Sequence, residues 1–156
     1  MTVLKQVHRS SSLIATLLIA IFFVATLTTE LFRTLEYVKE VKQLIVVPGL
    51  FLLIPCVAAA GITGNLMTRG RKGNLLSTKK RRLLIVAATG LFVLLPAALW
   101  LRHLALQNNF GALFYLLQAA ELLAGASNLM LMGLNIYDGM KLAGRMKRKR
   151  RSVGAV

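Results

Sequence analysis

The sequence predicts an all-α integral membrane protein, a four-helix transmembrane bundle with both termini on the cytoplasmic side (N-in/C-in). Four long apolar stretches run through a chain in which 56% of the residues are hydrophobic. Of the 20 lysines and arginines, 16 fall in three short segments beside these stretches: Lys5 to Arg9, Arg69 to Arg82 and Lys141 to Arg151. The two remaining connections are nearly neutral. Multi-pass membrane proteins show this alternation, because their cytoplasmic loops are rich in lysine and arginine and their external loops are not.

The length predicts a single transmembrane domain, residues 1–156. Its spans are predicted at about 13–29, 44–63, 83–101 and 110–136. The first span carries no charge and reaches the minimum length for crossing a bilayer core. No small-residue cleavage site follows it, so we expect a retained helix and not a secretory signal.

The second span contains Pro48 in its first turn, where a missing backbone donor costs little. Pro55 lies close to mid-depth and leaves the carbonyl of Phe51 without its helical partner. The third span ends on Trp100, and an aromatic ring at that point suits the boundary between water and lipid. The fourth is long enough to cross the core and protrude or tilt.

The external connection between the first two spans alternates in charge. Its acids and bases, spaced three and four residues apart, fall beside one another on a helix, with an apolar face opposite. We expect an extension of the first helix or a short interfacial helix with a structural role. The charged residues assigned to the external side here are Glu30, Arg33, Glu36, Lys39, Glu40 and Lys42.

The basic segments are predicted to lie on the inner side of the membrane and to fix the orientation of the spans. One of them is a basic cytoplasmic tail over 140–156. In a bacterium this side is the cytoplasmic face of the inner membrane, and the lack of organelle-targeting signals favours that setting. The net charge of +15 does not predict nucleic-acid binding, because the bases only border apolar stretches. The bases expected to attract anionic lipid are Arg69, Arg71, Lys72, Lys79, Lys80, Arg81, Arg82, Lys147, Arg148, Lys149, Arg150 and Arg151.

The fourth span carries a polar stripe, with polar and small residues recurring every three or four positions. This spacing places them on one helical face, which we call the seam: Gln118, Glu121, Gly125, Asn128, Met132, Asn135 and Gly139. Exposing amides and a carboxyl group to lipid is costly, so the seam should face other protein. It is either a proton- or ligand-binding path or a helix-packing surface. Glu121 and Pro55 are predicted at nearly the same depth in the bilayer. Protonated Glu121 is therefore expected to donate a hydrogen bond to the carbonyl of Phe51 that Pro55 leaves free.

The two histidines, His8 and His103, are predicted on opposite sides of the bilayer and cannot ligate one haem together. His8 with Met140 could form a His/Met site. The segment His8-Arg9-Ser10-Ser11 resembles the His-Arg entry to helices in anchor subunits of succinate dehydrogenase-type complexes. This resemblance covers those few residues, and it implies a site for haem or quinone at the edge formed by His8 and Arg9.

Three functions therefore stay open. The first is a non-enzymatic subunit or accessory of a larger inner-membrane complex, with the seam used for helix packing. The second is a small proton-coupled transporter, homo-oligomeric, with Glu121 as the proton carrier. The third is a haem- or quinone-associated redox subunit using His8 and Arg9. A non-enzymatic role is favoured, because no nucleophile–base pair and no metal-ligand cluster can be recognised.

Overall fold

The computed structural model describes the backbone of residues 2–32, 34–68 and 74–153, and the side chains of 3–32, 34–67, 77–141 and 144. Over these residues the fold is all-helical and contains no strand. Six α-helices occur, together with two short π-helical segments at Ile45–Leu50 and Gly90–Leu94. The α-helices are α1 (Thr2–Phe32), α2 (Leu35–Leu44), α3 (Phe51–Thr68), α4 (Asn74–Thr89), α5 (Leu95–Leu106) and α6 (Ala112–Val153).

Four of the resulting helical stretches are long and apolar enough to cross a membrane. They are Val3–Phe32, Leu35–Met67, Ser77–Leu106 and Ala112–Lys141, and each is longer than the span predicted from sequence. The second stretch consists of α2, the first π-helical segment and α3, and so includes much of the charged connection assigned to the external side. The third joins α4 and α5 through the other π-helical segment.

The second span bends at Pro48. The preceding residue, Val47, has φ −133° and ψ 110°, outside the helical region, because the proline ring crowds the backbone of the residue before it. Val47 thus separates two helices, and Pro48 lies in the first turn of the second one, as predicted, although both belong to one longer helical stretch. The bend separates α2, which carries charged side chains, from the apolar α3.

The four stretches pack into one bundle. The first helix lies along α3, α6 packs on α4 and α5, and α2 contacts α1 and α5. At one end, a small core joins α2, α5 and α6 through Val38, Leu101, Leu104, Ala105 and Phe114. Many large apolar side chains face outward, among them Ile21, Phe92 and Leu123. A helical bundle with an apolar exterior is compatible with a membrane environment.

Candidate functional site

A charged pair lies inside the bundle. The Nζ of Lys42 donates to Oε2 of Glu121 at 2.5 Å, and the side chains are only 2% and 13% exposed. The same carboxylate oxygen accepts a hydrogen bond from Nε2 of Gln118 at 3.2 Å. Because Lys42 comes from α2 and Glu121 from α6, this contact links the second span to the fourth.

Phe51, the predicted acceptor for Glu121, is not among the hydrogen-bond partners that the structure gives this carboxyl group. The reason is the position of Lys42. On α2, Val38 and Lys42 share the buried face, and Ile45, Val46 and Gly49 continue it into the π-helical segment. Lys42 therefore enters the interior of the bundle, although its sequence position predicts an external connection.

Glu30, near the end of α1, adds a second acid to this region. It interacts electrostatically with both Lys42 and Glu121, and its Oε1 is buried without a hydrogen-bond partner among the described residues. We call Glu30, Lys42 and Glu121 the charged cluster. It contains one more acid than base. From its position in the sequence, Glu30, like Lys42, is predicted on the external side.

The seam of α6 faces the bundle interior over most of its length. Gln118, Gly125 and Asn128 are buried, while Asn135 is half-buried. The Nδ2 of Asn128 donates to the backbone carbonyl of Val86 on α4 at 3.3 Å. At Gly125 a Cβ would lie 3.4 Å from the ring of Phe23, so the missing side chain lets α1 approach closely. Of the predicted seam residues, only Gln118 and Glu121 are joined to each other by a hydrogen bond that the structure gives.

Beside the charged cluster lies a cavity of about 330 Å³, which we call the central cavity. All four spans contribute to its wall, and nearly all of the lining is apolar. The polar residues that reach it are Thr26 from α1 and Glu121 and Asn128 from the seam. An apolar cavity with a few polar groups is the usual form of a small-molecule site.

His8 lies in the contact between α1 and α3. Its Nδ1 is 3.0 Å from the carbonyl oxygen of Ala60 and 3.2 Å from Oγ1 of Thr63. Since a carbonyl oxygen can only accept, Nδ1 carries the proton in this contact. Gly64 permits the approach, because a Cβ there would lie 3.0 Å from the imidazole. Arg9 is exposed instead, so the two residues of the predicted cofactor edge have different environments.

The basic segments are described in part. Lys80 and Arg81 are exposed, whereas Nη1 of Arg82 donates to Oδ2 of Asp138 on α6 at 2.7 Å. Lys79 lies beside Gly139. The remaining bases expected to contact lipid lie outside the described residues or, in α6, outside the described side chains: Arg69, Arg71, Lys72, Lys147, Arg148, Lys149, Arg150 and Arg151.

Within the described ranges no group of three or more metal-ligating side chains comes together. Cys56 is a free, half-buried thiol in α3. Comparisons with protein-family models, with curated proteins and with solved structures gave no match for this chain.

Proposed function

We propose that the chain is a multi-pass protein of the bacterial inner membrane with both termini in the cytoplasm. Two properties support this placement. The four helical stretches have the length and apolar composition that a bilayer requires. The lysines and arginines concentrate in the segments that would share one side, as the positive-inside bias demands.

Cysteine labelling tests this orientation. In a Cys56→Ser background, a membrane-impermeant maleimide should label Asn109→Cys in intact spheroplasts and Lys80→Cys only after lysis. Both positions are exposed in the structure, so accessibility within the protein does not limit labelling. The opposite pattern, or labelling of both variants before lysis, would contradict the proposed orientation.

Within that membrane, the proposed role is a non-enzymatic subunit or accessory of a larger complex. The observation that supports it best is the inward direction of the polar seam. Glu121 bonds α6 to α2 and Asn128 bonds it to α4, while Gln118 donates to Glu121 within α6. Polar groups that join helices in this way stabilise a membrane bundle. The exterior is left apolar, and such a surface can pack against lipid or against the helices of other subunits.

Native mass spectrometry of the tagged protein, extracted gently from its own membrane, tests this role. The expected result is a mass that includes at least one further protein. Gly125→Leu, which would push α6 away from Phe23 of α1, should disturb the bundle and with it that assembly, while Leu123→Ala, on the exposed face of the same helix, should leave the bundle itself folded. A bare homo-oligomer, or a mass increased only by haem, would contradict the proposal.

A proton-coupled transporter is the second candidate, and the charged cluster is the observation that favours it. Protonation of Glu121 would remove its attraction for Lys42, while the carboxylate of Glu30 lies close enough to interact with the same ammonium group. A proton could thus change which acid Lys42 pairs with, which would couple protonation to the contact between α2 and α6. A bare homo-oligomer in the mass spectrum would favour this role, with Glu121 as the proton carrier.

A further inference from the structure

The central cavity is large enough for an organic molecule. Its volume of about 330 Å³ is roughly twice that of an engineered apolar cavity that binds benzene. All four spans build its wall, which is largely aliphatic and aromatic and includes Ile19, Phe23, Leu53 and Leu94. The size and lining therefore fit an apolar body of about two rings.

Glu121 presents an unpaired oxygen atom at the central cavity, which its side chain helps to line. The hydrogen bonds from Lys42 and Gln118 both end on its Oε2, so Oε1 accepts none from the residues that the structure describes. The side chain keeps 13% of its surface exposed. Oδ1 of Asn128 is fully buried, but Oε1 of Glu121 is not. A donor held in the central cavity can therefore reach Oε1 of Glu121, whereas the amide oxygen of Asn128 is closed to it.

The charge around this oxygen favours a positively charged donor. The charged cluster holds two carboxyl groups, Glu30 and Glu121, against the single ammonium group of Lys42. Lys42 and Glu121 are the charged groups that act on Glu30, so the cluster carries a net negative charge when both acids are ionised. An uncompensated charge is costly in an apolar interior, and a bound cation would balance it.

The lining suits an organic cation better than a metal ion. A hard cation such as Ca²⁺ takes six or more oxygen ligands. The polar residues that line the central cavity are Thr26, Glu121 and Asn128, and the amide oxygen of Asn128 is out of reach. A protonated amine needs fewer acceptors, and the apolar groups attached to its nitrogen can pack against the remaining wall.

We propose that the central cavity binds a lipophilic amine in its protonated form, with the ammonium group donating a hydrogen bond to Oε1 of Glu121. The apolar body of the amine fills the space between the four spans, and its charge balances the excess acid of the charged cluster. This inference goes beyond the proposed subunit role. It concerns binding by the chain itself and holds whether or not the amine is then carried across the membrane.

A matched pair of probes tests the proposal. 1-Naphthylmethylamine and 1-naphthalenemethanol share two fused rings and a methylene group, and at neutral pH they differ in carrying an ammonium or a hydroxyl group. Binding is measured to the full chain in phosphatidylcholine nanodiscs, with empty nanodiscs correcting for partition into lipid. We expect saturable binding of the amine, about tenfold tighter than the alcohol, because a charge-assisted hydrogen bond is the stronger one. The net charge of +15 repels cations from the protein surface and cannot itself produce this preference.

Two variants assign the preference to Glu121. Glu121→Gln keeps the size of the side chain and removes its charge, while Lys42 retains Glu30 as a nearby opposite charge. It should lower the affinity for the amine about tenfold and change that for the alcohol little. Glu36→Gln is the matched control, because it removes an acid that is 76% exposed, and it should leave the preference intact.

A third variant separates binding from folding. A Cβ at Gly90, which lines the central cavity, would meet no atom closer than Nδ2 of Asn128, at 4.0 Å. Gly90→Leu should therefore fill the cavity and exclude both probes while the helical circular dichroism stays unchanged. Equal affinities for the two probes, or binding no stronger than to empty nanodiscs, would overturn the proposal. So would a preference that survives Glu121→Gln, or undiminished binding of the amine to Gly90→Leu.

Discussion

Replacing Lys42 with methionine is expected to destabilise the bundle by about 3–5 kcal/mol, because it leaves a buried carboxylate without its partner. Glu121 loses the ammonium group that compensates its charge, and Gln118 alone remains bonded to it. The loss should be measured as a reduced free energy of unfolding in mixed micelles titrated with SDS. Trp100, the only tryptophan in the sequence, reports the transition by fluorescence, with circular dichroism as a second probe.

Two further variants show whether the ion pair causes this effect. Lys42→Met combined with Glu121→Leu removes both charges, and it should recover most of the lost stability, since an apolar pair of similar volume avoids the desolvation cost. Lys39→Met removes the lysine of an exposed pair with Glu36 on the same helix and should change stability by less than about 1 kcal/mol. Equal losses for Lys39→Met and Lys42→Met would contradict the interpretation of Lys42 as a buried ion-pair partner.

Phe114→Ala is expected to produce the second large effect. Phe114 is fully buried in the core shared by α2, α5 and α6. Its ring makes edge-to-face contacts with Phe110 at 4.9 Å and Tyr115 at 5.5 Å between centroids. In a bilayer, lipid tails solvate the removed ring as well as protein does, so the loss is mainly one of packing. We therefore expect about 1–3 kcal/mol from lost aromatic pairs and an unfilled space.

Phe92→Ala is the matched control for this prediction. Phe92 lies in the third span, but its ring faces outward. Its removal exchanges protein surface for lipid without opening a space in the bundle, so the free energy of unfolding should change little. The same SDS titration measures both variants. Equal destabilisation by Phe92→Ala and Phe114→Ala would contradict the outward position of Phe92 and the burial of Phe114.

The direction of the seam was predictable from local periodicity. Polar and small residues at spacings of three and four must share a face of any α-helix, and their cost in lipid turns that face inward. The structure buries Gln118 and Asn128 accordingly. The partners of those residues were not predictable in this way. Similar depth in the bilayer favours Phe51 as the hydrogen-bond partner of Glu121. In the structure its partner is instead Lys42, which is 79 positions away in the chain.

The burial of Lys42 and the unpaired Oε1 of Glu30 do not follow from the sequence pattern, because charged side chains between two apolar stretches indicate an external connection. A clue to Lys42 was present in the sequence, since Val38, Lys42, Ile45 and Gly49 recur at spacings of three and four on one face. Recognising that face as buried also requires knowing that α2 continues into α3 through the bend at Pro48. Backbone preferences at proline favour such a bend but do not set its direction.

The sequence by itself determined the all-helical character, the four apolar stretches and the inward face of α6, because each follows from composition or from a period of a few residues. Only the tertiary structure decided the ion pair between Lys42 and Glu121, the contact of His8 with α3 and the central cavity between the four spans. These features depend on how far each helix is rotated about its axis and shifted along its neighbours. Many weak contacts distributed over the whole chain set those two quantities, and no local pattern encodes them.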